Sequence, residues 1–180
     1  MTSLSPASAS PAGVPVIETA ELVLRGYREA DFEAFAAFSA SPRACFVGGP
    51  QTRWEAWRSF MAAIGHWGLR GYGMWIVECR DTGQVAGRVG VMMNDGWLEP
   101  ELAWHLYDGF EGRGLAWQAA RAARAHAARH WGMPALISYI DPANTRSRRL
   151  AERLGARPER DVEVLSRPCQ LWRHPAAGGL

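Results

Sequence analysis

The chain has 180 residues, of which 48% are hydrophobic and 21% charged, and its formal net charge is +2. This length and composition predict one globular domain that buries about two thirds of its surface, and they exclude a disordered chain. The nearly balanced charge argues against binding to nucleic acid. No apolar run approaches 18 residues, so the sequence predicts no membrane span.

The two ends of the chain differ in composition from its middle. Residues 1–15 are rich in Ser, Pro and Ala and predict a disordered tail rather than a signal peptide. The domain is expected over 16–175, with a second short tail over 176–180.

The cysteines and histidines indicate neither disulfides nor a metal. Cys45, Cys79 and Cys169 are odd in number and lack metal-binding spacing, so we expect reduced thiols in a cytoplasmic protein. Among the histidines only His126 and His130 share a helical spacing, and no third ligand accompanies them.

The first half of the chain predicts an antiparallel meander interrupted by two helices. Asp31 is placed to cap the first helix, Gly65 is expected to end the second, and 66–73 to form a loop. The expected elements are a strand over 21–25, helices over about 32–38 and 54–64, a loop over 42–50, and strands over 74–79 and 85–92 joined by a turn at 81–83.

The second half predicts a strand, a crossover helix and a parallel strand, followed by further elements. Together the two halves indicate an α+β domain with a mixed, mostly antiparallel central sheet flanked by helices. The expected elements are strands over 101–107 and 135–140, helices over 114–130 and 144–154, and strands over 161–165 and 170–173.

The segment Glu111-Gly-Arg-Gly-Leu-Ala116 joins the strand over 101–107 to an alanine-rich helix. Two glycines at the amino end of a helix form a potential anion site, although a tight turn would also explain them. No lysine follows, which excludes a P-loop, and Trp117 occupies the step where a dinucleotide fingerprint needs Gly or Ala. A pyrophosphate loop without metal, of the kind that binds coenzyme A, remains.

This loop and the segment from Asp141 to Ala156 together resemble the GNAT superfamily of acetyl-CoA-dependent N-acetyltransferases. The chain is most similar to the branch that includes the ribosomal-protein N-terminal acetyltransferases. Glu18–Arg25, Glu101–Leu106 and Leu171–Pro175 also resemble that branch, so the similarity spans nearly all of 16–175.

The resemblance implies that acetyl-CoA is the co-substrate and that no metal takes part. Asn144 matches the residue that contacts the pantetheine arm, and Glu111 stands where the family usually has Gln or Arg. Strand residues near the loop are expected to line the place where the sheet splays and admits the pantetheine arm. The implied coenzyme-binding residues are His105, Leu106, Tyr107, Glu111, Gly112, Arg113, Gly114, Leu115, Ala116, Asn144 and Ser147.

Two residues are candidates for proton transfer. Glu101 is the candidate base, with Glu99 as a weaker one, and the alternative for Glu101 is a solvated or salt-bridged strand end. Many GNAT enzymes have a tyrosine acid where this chain has Ala151, so Ser147 becomes the candidate acid, directly or by relay from water. His105 either lines the site or is a packed histidine.

The expected reaction is direct attack of a primary amine on the thioester in a ternary complex. The acceptor is either a protein N-terminus or a small molecule, and the protein a monomer or homodimer. The alternative is a non-catalytic acyl-CoA-binding sensor on the same fold. The acceptor should meet the variable region 42–72, whose candidate residues are Arg43, Trp54, Trp57, His66, Trp67 and Tyr72.

Overall fold

The computed structural model describes residues 13–176. Most of the expected N-terminal tail and residues 177–180 of the C-terminal one lie outside the described residues. Within the expected N-terminal tail, the carbonyl oxygen of Pro15 accepts a hydrogen bond of 2.8 Å from Trp75 Nε1.

Within residues 13–176, eight strands form one sheet in the order β1-β2-β3-β4-β5-β6-β8-β7. All neighbouring strands are antiparallel except β5 and β6. This confirms the predicted α+β fold with a mixed, mostly antiparallel sheet. The strands are β1 (Ile17–Glu18), β2 (Leu22–Arg25), β3 (Met74–Cys79), β4 (Val85–Met92), β5 (Glu101–Leu106), β6 (Ile137–Ile140), β7 (Arg157–Val164) and β8 (Arg167–Arg173).

In the described part of the chain, four α-helices cover the two faces of the sheet. They are α1 (Phe32–Ala40), α2 (Arg53–Arg70), α3 (Leu115–His130) and α4 (Thr145–Arg153). Side chains alternate between the faces along each strand. In β3, Trp75 and Val77 belong to the core beneath α3, whereas Ile76 packs with Phe60 of α2 on the opposite face. The sheet therefore separates two hydrophobic cores.

Helix α2 is longer than predicted, because Gly65 does not end it and most of the expected loop over 66–73 is helical. A glycine inside a helix costs about 1 kcal/mol relative to alanine. Trp67 lies two residues further on and is buried against Trp75, with ring centroids 5.1 Å apart. Such burial contributes more than the glycine costs. The helix ends at Gly71, whose φ of +74° forms the left-handed cap.

The sequence predicts that the Asp31 side chain caps α1, but in the structure it makes no such capping bond. Its two carboxylate oxygens each accept a 2.8 Å hydrogen bond from the guanidinium of Arg25, and both residues are buried. A bidentate pair satisfies a buried carboxylate better than one capping bond would.

The last hairpin is longer than the sequence indicates. Strands β7 and β8 are joined by Leu165 and Ser166, both with positive φ, which is the geometry of a two-residue hairpin turn. Neither residue is the glycine that normally marks such a turn, and β7 is largely exposed, so hydrophobic alternation does not reveal its extent. The bounds predicted for β3 and β4 are confirmed.

Candidate functional site

Strands β5 and β6 pair at one point and then separate. Glu101 is in register with Ile137, whose N–H donates to the carbonyl oxygen of Pro100 at 3.3 Å. One step further, the Ser138 hydroxyl, rather than a backbone amide, donates to the carbonyl oxygen of Leu102 at 2.6 Å. Beyond this point the two strands form no ladder in the described chain, so the end of β5 borders an opening.

The hydrogen-bond ladder between β5 and β4 determines which β5 amides face this opening. The Tyr107 N–H donates to the carbonyl oxygen of Ala86 at 2.8 Å, in line with the register between β5 and β4. Bonded positions alternate along an antiparallel strand, so the amides of His105 and Tyr107 belong to the β4 ladder. Those of Trp104 and Leu106 face the opening. The expected main-chain contact therefore shifts away from His105 and Tyr107, while the amide of Leu106 remains available.

The loop after β5 presents main-chain groups at the start of α3. Gly112 and Gly114 have φ of +74° and +80°, and no side chain within residues 13–176 caps this helix end. Nothing lies within 4 Å of where a Cβ would stand on either glycine. The Leu115 side chain is buried in the core, and Ala116 is half-buried. Amides at an uncapped helix end favour an anion.

The Glu111 side chain is bonded to its own loop and paired with nearby arginines. Its carboxylate accepts from the Gly109 N–H at 2.9 Å and pairs with Arg43 at 2.7 Å. Arg146 lies 3.7 Å from the same carboxylate. Arg43 also donates to the Leu106 carbonyl oxygen at 3.0 Å, which joins the turn after α1 to the opening. The acidic side chain is therefore partly neutralised by two arginines. Arg113 is exposed, 5.9 Å from the Phe110 ring centroid.

The amino end of α4 faces the same opening through Trp104. Asn144 caps this helix by accepting from the Ser147 N–H at 3.1 Å. The Ser147 hydroxyl oxygen accepts from Trp104 Nε1 at 3.2 Å. An indole N–H can only donate, so the hydroxyl hydrogen of Ser147 is left to donate to another group. Sequence reasoning missed Trp104, although strand alternation places it on the α3 face together with Leu102.

Ala151, which stands where many family members have tyrosine, is fully buried with Ile140 and Trp172. Trp104 packs against this cluster. The indole therefore occupies room beside Ala151 and binds Ser147 one helical turn away. This packing explains how α4 accommodates a small residue at that position.

Glu101 and Glu99 have opposite environments although they are two residues apart. Glu101 is only 9% exposed, and its carboxylate accepts from the Tyr139 N–H at 3.0 Å. Burial raises the pKa of Glu101 to about 8, against the opposing effect of the Tyr139 bond. Glu99 is bound by Arg173 at 2.6 and 2.8 Å, which lowers its pKa. Glu101 can therefore exchange a proton near neutral pH, whereas Glu99 is a paired carboxylate.

His105 is packed and held in one tautomer. Its ring stacks on Phe38 with centroids 5.7 Å apart, and its Nδ1 lies 2.8 Å from Arg88 Nε. Since arginine only donates, Nδ1 must accept, so the neutral ring carries its proton on Nε2. Burial, with a further contribution from Arg88, holds the pKa of His105 well below 6.5.

A cavity of about 220 Å³ lies on the face of the sheet opposite α3, between α1–α2 and β4. We call it the acceptor cavity. Of the six residues expected to meet the acceptor, His66 lines it. Arg43 binds the loop after β5, Trp54 is 67% exposed, Trp57 packs on Phe32, and Trp67 and Tyr72 pack on Trp131. The cavity is lined by Phe38, Ser39, Ala44, Val47, Gly49, Gln51, Ser59, Ala62, Ala63, His66, Met74, Arg88, Met92 and Asn94.

Residues 13–176 contain neither a cluster of metal ligands nor a helix suited to a bilayer. No three His, Cys, Asp or Glu side chains in this part of the chain are grouped as metal ligands would be. None of the described helices combines the length and the apolar character needed to cross a bilayer.

A sheet that opens beside a glycine loop and an uncapped helix defines a class of acyl-transferring proteins. The family description "Acetyltransferase (GNAT) domain" matches residues 21–157. The chain therefore belongs to the GNAT acetyltransferase family.

Similar proteins and structures agree with this assignment. A crystal structure of an acetyltransferase from Agrobacterium tumefaciens is 35% identical with a TM-score of 0.82, covering 89% of this chain and 94% of that one. RimL, a ribosomal L7/L12 alpha-N-protein acetyltransferase solved with coenzyme A, has 17% identity and a TM-score of 0.73, covering 91% of this chain and 99% of that one. At this low identity, the similarity to RimL shows a shared fold alone. The uncharacterized protein YkkB of Bacillus subtilis is 26% identical over 114 residues, 57% of this chain and 62% of YkkB, so the match spans less than two thirds of that relative.

Proposed function

We propose that this protein transfers an acetyl group from acetyl-CoA to a primary amine by direct attack in a ternary complex. The observation that carries the proposal is the opening between β5 and β6. Unpaired amides of Trp104 and Leu106 border this opening, next to the uncapped start of α3.

The chain offers a set of donors that fits a pyrophosphate and an amide-containing arm. The amides at Gly112–Ala116 would hold the pyrophosphate, because a helix amino end with left-handed glycines directs several N–H groups at one anion. The Trp104 and Leu106 amides and the Asn144 side-chain amide would hold the pantetheine arm. Acetyl-CoA supplies the acetyl group as a thioester. Main-chain N–H groups beside the opening would polarise its carbonyl oxygen.

Glu101 is the proposed proton acceptor. An alkylammonium with a pKa near 10 must lose a proton before it can attack. A buried carboxyl whose pKa is about 8 is a stronger base than an exposed one, and it can pass the proton on to water. Its place at the junction of β5 and β6 favours transfer through water rather than direct contact.

Ser147 is the proposed proton donor to the leaving sulfur. Trp104 already donates to its oxygen, so its own hydrogen is directed elsewhere. A serine hydroxyl is a weak acid, and it would act by hydrogen bonding or as a relay from water.

Two of the three cysteines, Cys79 and Cys169, are poorly suited to an acyl-enzyme route, which supports direct attack. Burial raises the pKa of the Cys79 thiol, and burial with nearby Asp141 and Glu101 raises that of Cys169. A thiol that is hard to ionise is a poor nucleophile. Reduced cysteines also agree with the cytoplasmic location that we propose.

The burial of Ala151 favours a second candidate function, a non-catalytic acyl-CoA-binding sensor, because this position offers no acid. The two functions differ in one product. An enzyme releases free thiol when an amine is added, and a sensor does not. The proposed acceptor is a peptide N-terminus or a small amine, and the proposed oligomeric state is a monomer or a homodimer. Separate experiments would assign each of them.

The test combines calorimetry with a thiol-release assay. The protein should bind acetyl-CoA and release thiol with at least one member of a panel of amines and N-terminal peptides, and mass spectrometry should detect the acetylated product. Binding without thiol release would favour the sensor. Failure to bind acetyl-CoA at millimolar concentration would overturn both functions.

A further inference from the structure

We propose that the acceptor cavity binds an amine that also carries a carboxylate, a small amino-acid-like molecule, and that Arg88 recognises the carboxylate. This inference rests on the proposed function, because it names the acceptor of the same site.

Arg88 is a half-buried cation without an acidic partner in the described chain. Its guanidinium carbon lies 4.6 Å from the Phe35 ring centroid, and its Nε donates to His105. Asp31 and Glu78, acids on this side of the sheet, are bound to Arg25. Desolvating a cation without a counter-ion is costly, so an anion that enters the cavity gains a strong interaction.

The position of Arg88 connects the cavity to the opening. Arg88 is the cross-strand partner of His105, which lies between the amides of Trp104 and Leu106. Neighbouring strands are about 4.8 Å apart, so β4, which carries Arg88, lies about one strand spacing from β5, whose other edge borders the opening. An acceptor that reaches both places must carry its amine and its carboxylate at about this separation.

The cavity is small. Gly90 lies between Arg88 and Met92 in β4, where a Cβ would stand 2.2 Å from the Gly73 carbonyl oxygen, so only glycine allows the backbone at Gly73 to come this close to β4. Arg88, Met92 and Met74 line the cavity on this side. A volume of about 220 Å³ suits an amino acid and is small for an extended peptide.

The Arg88 guanidinium is held in place by its neighbours, and this also favours specificity for a carboxylate. The bond to His105 and the contact with Phe35 restrain the Arg88 side chain before a ligand arrives. A restrained guanidinium loses little conformational entropy when a carboxylate binds, and its planar fork matches a carboxylate better than a lysine does.

The experiment compares each of several amino acids with its own carboxamide, which has the same side chain but no carboxylate. Because the amine of the carboxamide is less basic, kcat/KM is expressed per neutral amine. On this basis the wild-type kcat/KM should favour the acid form by about tenfold or more. In Arg88→Met this ratio should fall to about one, and in Arg88→Lys it should be intermediate. Arg53→Met is the matched control, because Arg53 also contacts an aromatic ring, that of Phe32, yet lies at the exposed start of α2.

Calorimetry with N-acetylated amino acids and their amides separates this inference from the proposed function. Arg88-dependent binding of the acid forms without thiol release would uphold the anion site and overturn the proposed reaction. Thiol release from amines with no preference for the acid form, or a preference that survives in Arg88→Met, would overturn the anion site alone. Better turnover of peptides with an acidic second residue than of free amino acids would overturn the small-molecule assignment. If Arg88→Met does not fold, the ratio for Arg88→Lys decides.

Discussion

The two sides of the opening between β5 and β6 are built from different parts of the chain. The side proposed for acetyl-CoA consists of main-chain amides from β5 and the start of α3, together with the cap of α4. The acceptor cavity is defined by side chains from α1, α2 and β4, among them His66 and Arg88. Main-chain groups bind through backbone conformation, whereas a side-chain cavity can change its ligand by substitution. Binding of the donor should therefore depend on glycines, and binding of the acceptor should depend on individual side chains.

The largest effect is expected at Glu101, the proposed base. Glu101→Gln keeps the size and an oxygen for the Tyr139 N–H but removes the base, so kcat should fall about 100-fold or more. Wild-type kcat/KM should rise with pH through about 8 as the carboxyl ionises, and this rise should flatten in the variant. Steady-state kinetics from pH 6 to 10 checks this.

Glu99→Gln is the matched control, because Glu99 is two residues away and bound to Arg173. It should leave kcat within about twofold of wild type. Equal losses in both variants would contradict the role of Glu101.

The next largest effect is expected at Gly114, because the site proposed for acetyl-CoA depends on backbone conformation. Gly114→Ala forces a side chain into a left-handed conformation, which costs about 1–2 kcal/mol and shifts the loop amides. We expect coenzyme A affinity to fall about tenfold or more, as measured by calorimetry.

Two controls sharpen this test. Gly83→Ala, in the β3–β4 turn with φ of +67°, carries the same backbone cost and should lower Tm without changing affinity. Arg113→Ala removes a neighbouring side chain and should weaken binding by about threefold at most. A larger loss in Arg113→Ala than in Gly114→Ala would mean that side chains, not main chain, hold the coenzyme.

Ser147→Ala should reduce kcat by about tenfold, because the leaving sulfur loses its hydrogen-bond donor. Its effect should be largest with acceptors whose rate is limited by chemistry, as measured by single-turnover kinetics. Trp104→Phe removes the bond to Ser147 together with part of the indole packing, but it leaves the Ser147 hydroxyl in place and should have a smaller effect on kcat. An unchanged rate in Ser147→Ala would assign the proton to water alone.

The smallest effect is expected at Glu111. Glu111→Gln removes a negative charge beside the pyrophosphate site and releases Arg43 and Arg146 from it, so coenzyme A should bind about two- to threefold more tightly. The gain should shrink when salt is raised. Glu152→Gln, in exposed α4, should show no gain, and weaker binding in Glu111→Gln would make the carboxylate a structural part of the loop.

The backbone of the loop after β5 could be predicted from the sequence because its signal is local. The glycines at 112 and 114 form a short-range pattern that specifies backbone conformation, whereas the coenzyme contact of Asn144 rests on the family resemblance and stays a prediction. The acceptor side could not, because the contact between Arg88 and His105 depends on the register of two strands. The raised pKa of Glu101 depends on burial in the folded chain. The length of α2 escaped prediction for the same reason, since packing of Trp67 outweighs Gly65.

The most direct test of the main-chain account is amide hydrogen exchange measured by NMR with and without coenzyme A. We predict that binding protects the amides of Trp104, Leu106 and Gly112–Ala116, while that of Tyr107, already bonded to Ala86, changes little. Protection that instead centres on the acceptor cavity, with none at Trp104, Leu106 or the start of α3, would contradict it.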